Sequence, residues 1–179
     1  EGIYQYYKAV AAATEKPVVL YNVPGRTGVN MTAETTLRLA EIDNIVAVKE
    51  ASGNRTQILE ILENRPGGFV VLSGNDDETL DLMKNGAEGI ISVASNVTPS
   101  MVAELAHDML EGKVAEAETL HDRLLPLFRN CFVESNPIPA KAALHAMGLI
   151  QNEMRLPLVP ASQPAYDLMA ATIKDLGLL

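Results

Sequence analysis

Four short apolar runs rich in β-branched residues punctuate the first half of the chain: Pro17-Val18-Val19-Leu20, Ile45-Val46-Ala47-Val48, Phe69-Val70-Val71-Leu72 and Gly89-Ile90-Ile91-Ser92-Val93. Each has the length and composition of a strand covered on both faces. The segments between them carry helical periodicity and recognisable ends. Thr32 precedes Ala33-Glu34, Asn54 precedes the stripe Gln57-Ile58-Leu59-Ile61-Leu62, and Asp76 precedes Asp77-Glu78 with Gly86 closing. A further helical pattern, Gly2 to Val10, stands ahead of the first strand. Strand alternating with helix predicts parallel βα units with right-handed crossovers.

From Thr98 onward the strand pattern stops and helix signals repeat. Thr98-Pro99 places a cap before a proline at the first helical position, and Gly112 ends that helix. Further helices are expected from Ala115 to about Asn130, from Pro139 to Gly148 and from Ser162 to Gly177. Two parts follow: a βα body over 1–97 and a helical part over 98–179. No internal repeat, low-complexity stretch or flexible linker interrupts them.

Composition narrows the class. The 179 residues are 47% hydrophobic and 21% charged, with one cysteine and no tryptophan, which describes a cored globular protein and excludes collagen, a disordered tail and a disulfide scaffold. The net charge of −9 opposes a polyanionic partner, so neither nucleic acid nor an anionic membrane is expected. No apolar run reaches the ~20 residues of a membrane span, and no signal-peptide pattern opens the chain; a cytoplasmic protein is the simplest expectation. Cys131, flanked by Phe128, Phe132 and Val133, reads as a buried thiol. The chain starts on Glu1 inside a helical pattern, so it is expected to be a piece of a longer protein.

Polar residues cluster where the apolar runs end: Tyr21-Asn22, Lys49-Glu50, Ser73-Gly74-Asn75-Asp76, and Ser92 to Asn96. In parallel βα folds the loops after the strands converge on one mouth, which carries the active site. Of seven lysines only Lys49 ends an apolar strand. A lysine with its ordinary pKa is neutral in only about one molecule in a thousand at pH 7.4, so a nucleophilic amine needs a desolvated position of this kind. Such an amine attacks a ketone or aldehyde to form a Schiff base, whose nitrogen draws electrons from the adjacent carbon. The alternative is a lysine that reaches to the rim or pairs with a carboxylate.

Alternation puts Ile45, Ala47 and Lys49 on one face and Val46, Val48 and Glu50 on the other, so Glu50 is expected toward the helix layer. Tyr21 shares the phase of Val19 and is a candidate proton carrier beside the amine. A strand-end packing role is its alternative. Pro24-Gly25-Arg26-Thr27-Gly28 forms a rigid turn that presents Arg26, whose fork can hold a carboxylate in two parallel hydrogen bonds.

At these residues the sequence resembles the pyruvate-dependent class I aldolases, and among them the dihydrodipicolinate synthase family. The resemblance rests on Tyr21-Asn22-Val23-Pro24-Gly25-Arg26-Thr27-Gly28, Val48-Lys49-Glu50-Ala51-Ser52-Gly53-Asn54, Leu72-Ser73-Gly74-Asn75-Asp76, Gly89-Ile90-Ile91-Ser92-Val93 and Asn136-Pro137-Ile138-Pro139-Ala140-Lys141. It implies an α/β fold, a (β/α)8 TIM barrel of which this chain holds strands five to eight, followed by C-terminal helices. It further implies that Lys49 forms the pyruvate imine, Tyr21 transfers protons, Arg26 holds the carboxylate of L-aspartate 4-semialdehyde, the Ile91 backbone approaches pyruvate and Gly74 closes the pocket floor. The implied reaction condenses those two substrates to 4-hydroxy-tetrahydrodipicolinate on the route to lysine and diaminopimelate, in a cytoplasmic homotetramer. Ser52 and Asn75 stand where threonine and aspartate are common in the family. The family's first half, with its paired threonines, a second tyrosine and a lysine-feedback site, is not in this sequence.

Two other readings share some of these residues. An N-acetylneuraminate lyase or keto-deoxy sugar-acid aldolase would share Lys49 and Tyr21, and Arg26 argues against it. A noncatalytic barrel fragment serving in assembly is the reading from another class. His107, His121 and His145 lie on separate helices without ligand spacing, so no metal is expected; Lys49 would itself supply the electron sink, so no cofactor is expected either.

Overall fold

A computed structural model describes all residues, 1–179. The chain divides into two compact units, Glu1–Ile91 and Ser92–Leu179.

The first unit opens with α1 (Gly2–Ala12) and alternates strand and helix thereafter: β1 (Val18–Asn22), α2 (Pro24–Thr27), α3 (Ala33–Ala40), β2 (Ile45–Glu50), α4 (Arg55–Asn64), β3 (Val70–Ser73), α5 (Thr79–Lys84) and β4 (Gly89–Ile90). All three strand pairings are parallel, in the order β1-β2-β3-β4. Thr32 caps α3 by accepting from the Thr35 N–H, and Asn54 caps α4 by accepting from the Gln57 N–H. Both caps lie where the polar residue preceding the apolar stripe predicts them.

The two faces of the sheet differ. Leu20, Val48 and Val71 are completely buried on the face covered by helices, together with Leu39 of α3 and Ile58 and Ile61 of α4. Val19 and Tyr21, on the opposite face, are 47% and 41% exposed. One face is a finished core and the other is open.

Several local details depart from the sequence reading. Asp76 opens a 3₁₀ turn, Asp76–Glu78, ahead of α5 rather than capping that helix, and Thr98 stands at the N-cap position before Pro99 without a side-chain cap bond. The segment expected to run as a strand from Gly89 to Val93 pairs only at Gly89 and Ile90. The Ile91 N–H still donates to the Ser73 carbonyl at 2.9 Å, but the Ser92 hydroxyl then accepts from the Ser95 N–H at 2.8 Å and bends the chain into a 3₁₀ turn at Ala94–Asn96. A short polar side chain here offers the backbone a local alternative to the ladder. The turn after β1 is also more regular than expected: Pro24–Thr27 closes one helical turn, and Gly28, at φ 72°, donates its N–H to the Pro24 carbonyl. Only glycine takes that conformation without strain.

The second unit is helical: α6 (Pro99–Leu110), α7 (Val114–Asn130), α8 (Ile138–Ala146) and α9 (Gln163–Asp175). Its core contains Leu124, Leu127, Met169 and Ile173, and the Cys131 thiol is buried with them. Arg123 of α7 donates to the Leu176 carbonyl at 3.0 Å and Asn130 donates to the Thr172 hydroxyl at 2.8 Å, which ties α7 to the last helix. No helix is long and apolar enough to cross a membrane.

Candidate active site

Strand register decides which polar ends meet. Tyr21 is the direct cross-strand partner of Lys49, and Asn22 that of Glu50. Directly opposed residues of neighbouring strands share a face, so one pair lies on the open side and the other under the helices. On the open side the Lys49 ammonium stands 4.4 Å from the centroid of the Tyr21 ring. A cation on an aromatic face is held by the ring quadrupole, which orients the Lys49 side chain along the strand end and keeps the phenol beside it.

Gly74 forms the next wall. Its N–H donates to the Glu50 carbonyl at 2.7 Å, which extends the β2–β3 ladder past the strand ends. A Cβ at this position would lie 3.1 Å from Lys49 Cε, 3.0 Å from the Glu50 carbonyl oxygen and 2.6 Å from Ala51 Cβ. The stem of the lysine therefore occupies the space that any other residue would fill. Beyond Gly74, the Ser73 hydroxyl donates to the Asn75 carbonyl at 2.8 Å and holds the turn.

The remaining candidates sit on neighbouring strand-end segments. Arg26 lies on α2 with its guanidinium exposed, and Ile91 follows β4 with its side chain 42% exposed. Lys49 is thus brought against both Tyr21 and Gly74, whereas Arg26 and Ile91 lie on the segments that follow β1 and β4. The dry, closed mouth expected from the sequence is not formed by these strands: Tyr21, Val19 and Ile91 all face open space. The physical reason is geometric, since four parallel strands make a curved sheet and only closure of the sheet encloses its inner face.

Beneath the site lies a feature that residue-by-residue reading did not find. The Glu50 carboxylate is fully buried, faces the helix layer as alternation requires, and has no cation against it. Instead it accepts from the Ser52 N–H at 2.8 Å, from Asn22 Nδ2 at 3.1 Å on each oxygen, and from Gln57 Nε2 at 3.4 Å. The Met31 N–H donates to Asn22 Oδ1 at 2.9 Å, and Asn30 Nδ2 donates to Gln57 Oε1 at 2.8 Å. A signal did exist in the sequence, namely a glutamate out of phase with Lys49 and a glutamine inside an apolar helical stripe. Their meeting across the fold has no local mark.

A parallel βα sheet with a lysine at the end of a buried strand, a tyrosine beside it and a glycine under its stem defines the class of βα-fold proteins that carry an amine at the strand ends. Comparison with known proteins narrows the class to one family. The dihydrodipicolinate synthetase family matches residues 1–176, and the chain belongs to it. The 4-hydroxy-tetrahydrodipicolinate synthase of Phocaeicola vulgatus is 52% identical over 177 residues, covering 98% of this chain and 60% of that protein. The enzyme of the same name from Archaeoglobus fulgidus is 48% identical, covering 100% of this chain and 62% of its own length. Among solved structures, the dihydrodipicolinate synthase of Thermotoga maritima superposes with a TM-score of 0.97 at 45% identity, over 99% of this chain and 62% of that one. The Acinetobacter baumannii enzyme, solved with pyruvate, gives 0.96 at 42% identity over 99% and 61%. The chain thus spans about three fifths of the length of these relatives.

Proposed function

We propose that the full protein is a 4-hydroxy-tetrahydrodipicolinate synthase that condenses pyruvate with L-aspartate 4-semialdehyde through an imine on Lys49. In this reading β1 to β4 are strands five to eight of a (β/α)8 barrel, in a cytoplasmic enzyme of lysine and diaminopimelate synthesis. The neutral Lys49 amine adds to the pyruvate ketone, and Tyr21 passes the proton that lets the carbinolamine oxygen leave as water. Tyr21 then takes a methyl proton as the iminium nitrogen accepts the electron pair, the resulting enamine attacks the aldehyde carbon, and the aldehyde oxygen takes the proton back from Tyr21. The amino group of the semialdehyde adds to the imine carbon and displaces the Lys49 amine, which closes the ring and frees the product. Arg26 holds the semialdehyde carboxylate, Gly74 leaves room for the imine, and the backbone at Ile91 meets the pyruvate carboxylate. No metal or organic cofactor takes part, because the imine is the electron sink.

The observation that carries this reading is the register pair Tyr21 and Lys49, with the amine 4.4 Å from the phenol ring at the ends of buried parallel strands. The names of the relatives and the pyruvate complex of one of them support the substrate.

Borohydride reduction of the full-length protein in the presence of pyruvate tests it. The expected result is a stable mass addition that maps to Lys49 and disappears in K49R, together with turnover of L-aspartate 4-semialdehyde but not N-acetylmannosamine. Absence of the adduct in folded wild-type protein would overturn the proposal.

A further inference from the structure

Resting on the reading just given, we propose that the buried network centred on Glu50 is a positioning device for Arg26: it clamps the base of the 23–30 loop to the end of β2. Asn22 and Met31 are the two ends of that loop. The Asn22 side chain joins them, since its Oδ1 accepts from the Met31 N–H at 2.9 Å and its Nδ2 donates to the Met31 carbonyl at 3.2 Å. The same Nδ2 reaches both oxygens of Glu50 and the side-chain oxygen of Asn30. Gln57 of α4 repeats the arrangement, with its Nε2 directed to Met31, Asn30 and Glu50.

The direction of these bonds is set by the backbone. Met31 N–H can only donate, so Asn22 must present Oδ1 to it and Nδ2 to Glu50. The Ser52 N–H, at 2.8 Å, can likewise only donate. Every group around Glu50 therefore offers hydrogen, and only a side chain that accepts at both terminal atoms satisfies the site. Glutamine cannot, because its NH₂ would meet a donor. A buried carboxylate with no cation is a costly residue at a place where a leucine would pack, and what it delivers is a single geometry for the groups that converge on it.

Three segments are fixed by that geometry: the end of β1 that carries Tyr21, the loop that carries Arg26, and the end of β2 that carries Lys49. The proton carrier and the amine are also held by the sheet ladder. Arg26 rides on an exposed single turn, so the clamp is the contact that sets its distance from the imine. Glu50, Asn22 and Gln57 lie buried on the helix-covered side of the sheet, away from the open face, and act through Arg26.

The test compares full-length wild type, E50Q, N30A, R26A and the E50Q/R26A double variant, all assayed well below their melting temperatures. Pyruvate trapping by borohydride is read first, then kcat and KM for each substrate. E50Q is expected to trap pyruvate on Lys49 as wild type does, and to raise KM for the semialdehyde about tenfold, the size of effect that small misplacements of a substrate-holding group produce. In the R26A background the same change should cost less than about twofold, because coupled residues are not additive. Asn30 is exposed, so N30A remains available should E50Q fail to fold, with a KM effect of about threefold expected in the same direction. Unchanged KM in both variants, or equal factors with and without Arg26, overturns the clamp while leaving the imine reading intact. Failure of wild type to trap pyruvate removes that reading and the clamp with it.

Discussion

A methyl group on residue 74 would meet Ala51 Cβ at 2.6 Å and Lys49 Cε at 3.1 Å, closer than real side chains pack. G74A must therefore push either β3 or the lysine stem aside. Because a shift of about 1 Å in a reacting group can lower rates about a hundredfold, G74A is expected to lower kcat/KM by one to two orders of magnitude while the borohydride adduct still maps to Lys49. At the same scale, but away from the site, Arg55 Nε donates to Asp81 at 2.6 Å and holds its carboxyl below the ordinary carboxylate range, with burial opposing. A carboxyl whose value is depressed by folding adds stability that is present above its unfolded value and is lost as pH falls through the folded one. R55A should thus be slightly less stable than wild type at pH 7, and the gap should close as pH drops below roughly 4; melting curves across that range check it. The effect is small, since both partners are about half exposed.

Among the elements, α4 links packing to the site most directly. Its first turn is capped by Asn54, its apolar stripe buries Ile58 and Ile61 completely, and Gln57 between them reaches Glu50. N54A removes one satisfied N–H from the helix start and is expected to lower stability by about 1 kcal/mol in denaturant titration. I61A removes a fully buried side chain and should lower it by roughly 2–5 kcal/mol. The two variants should separate in activity as well. N54A loosens the turn that carries Gln57 and is expected to raise KM for the semialdehyde, whereas I61A should leave KM unchanged in the folded fraction.

Across the whole molecule, the consequence lies in the open face. Val19, Tyr21 and Ile91 are between 41% and 47% exposed, and the sheet ends in two strands, β1 and β4, with unpaired outer edges. Exposed apolar faces and free edges pair with other chains unless something covers them. Residues 1–179 expressed by themselves are therefore expected to self-associate or to melt without a cooperative transition, and to trap no pyruvate. Co-expression with the remaining two fifths of a family member's length should restore a soluble complex. Sedimentation and calorimetry decide between this and a monomer with a sharp transition, which would contradict it.

Much of this architecture was legible residue by residue. Period-two alternation placed Lys49 and Tyr21 on one face and Glu50 on the other, because the pleat leaves a strand residue no other choice. Caps at Thr32 and Asn54 were readable because they satisfy N–H groups three residues away. The end of β4 was less legible, because a local serine hydroxyl competes there with pairing to a neighbouring strand, and the turn read at Pro24–Gly28 closes as a full helical turn. The sequence by itself determined the kinds of residue at each strand end and the side on which each emerges. Only the tertiary structure decided that Asn22, Glu50 and Gln57 would meet, since positions 28 and 7 residues apart are joined by β-sheet register and helix packing rather than by any periodicity.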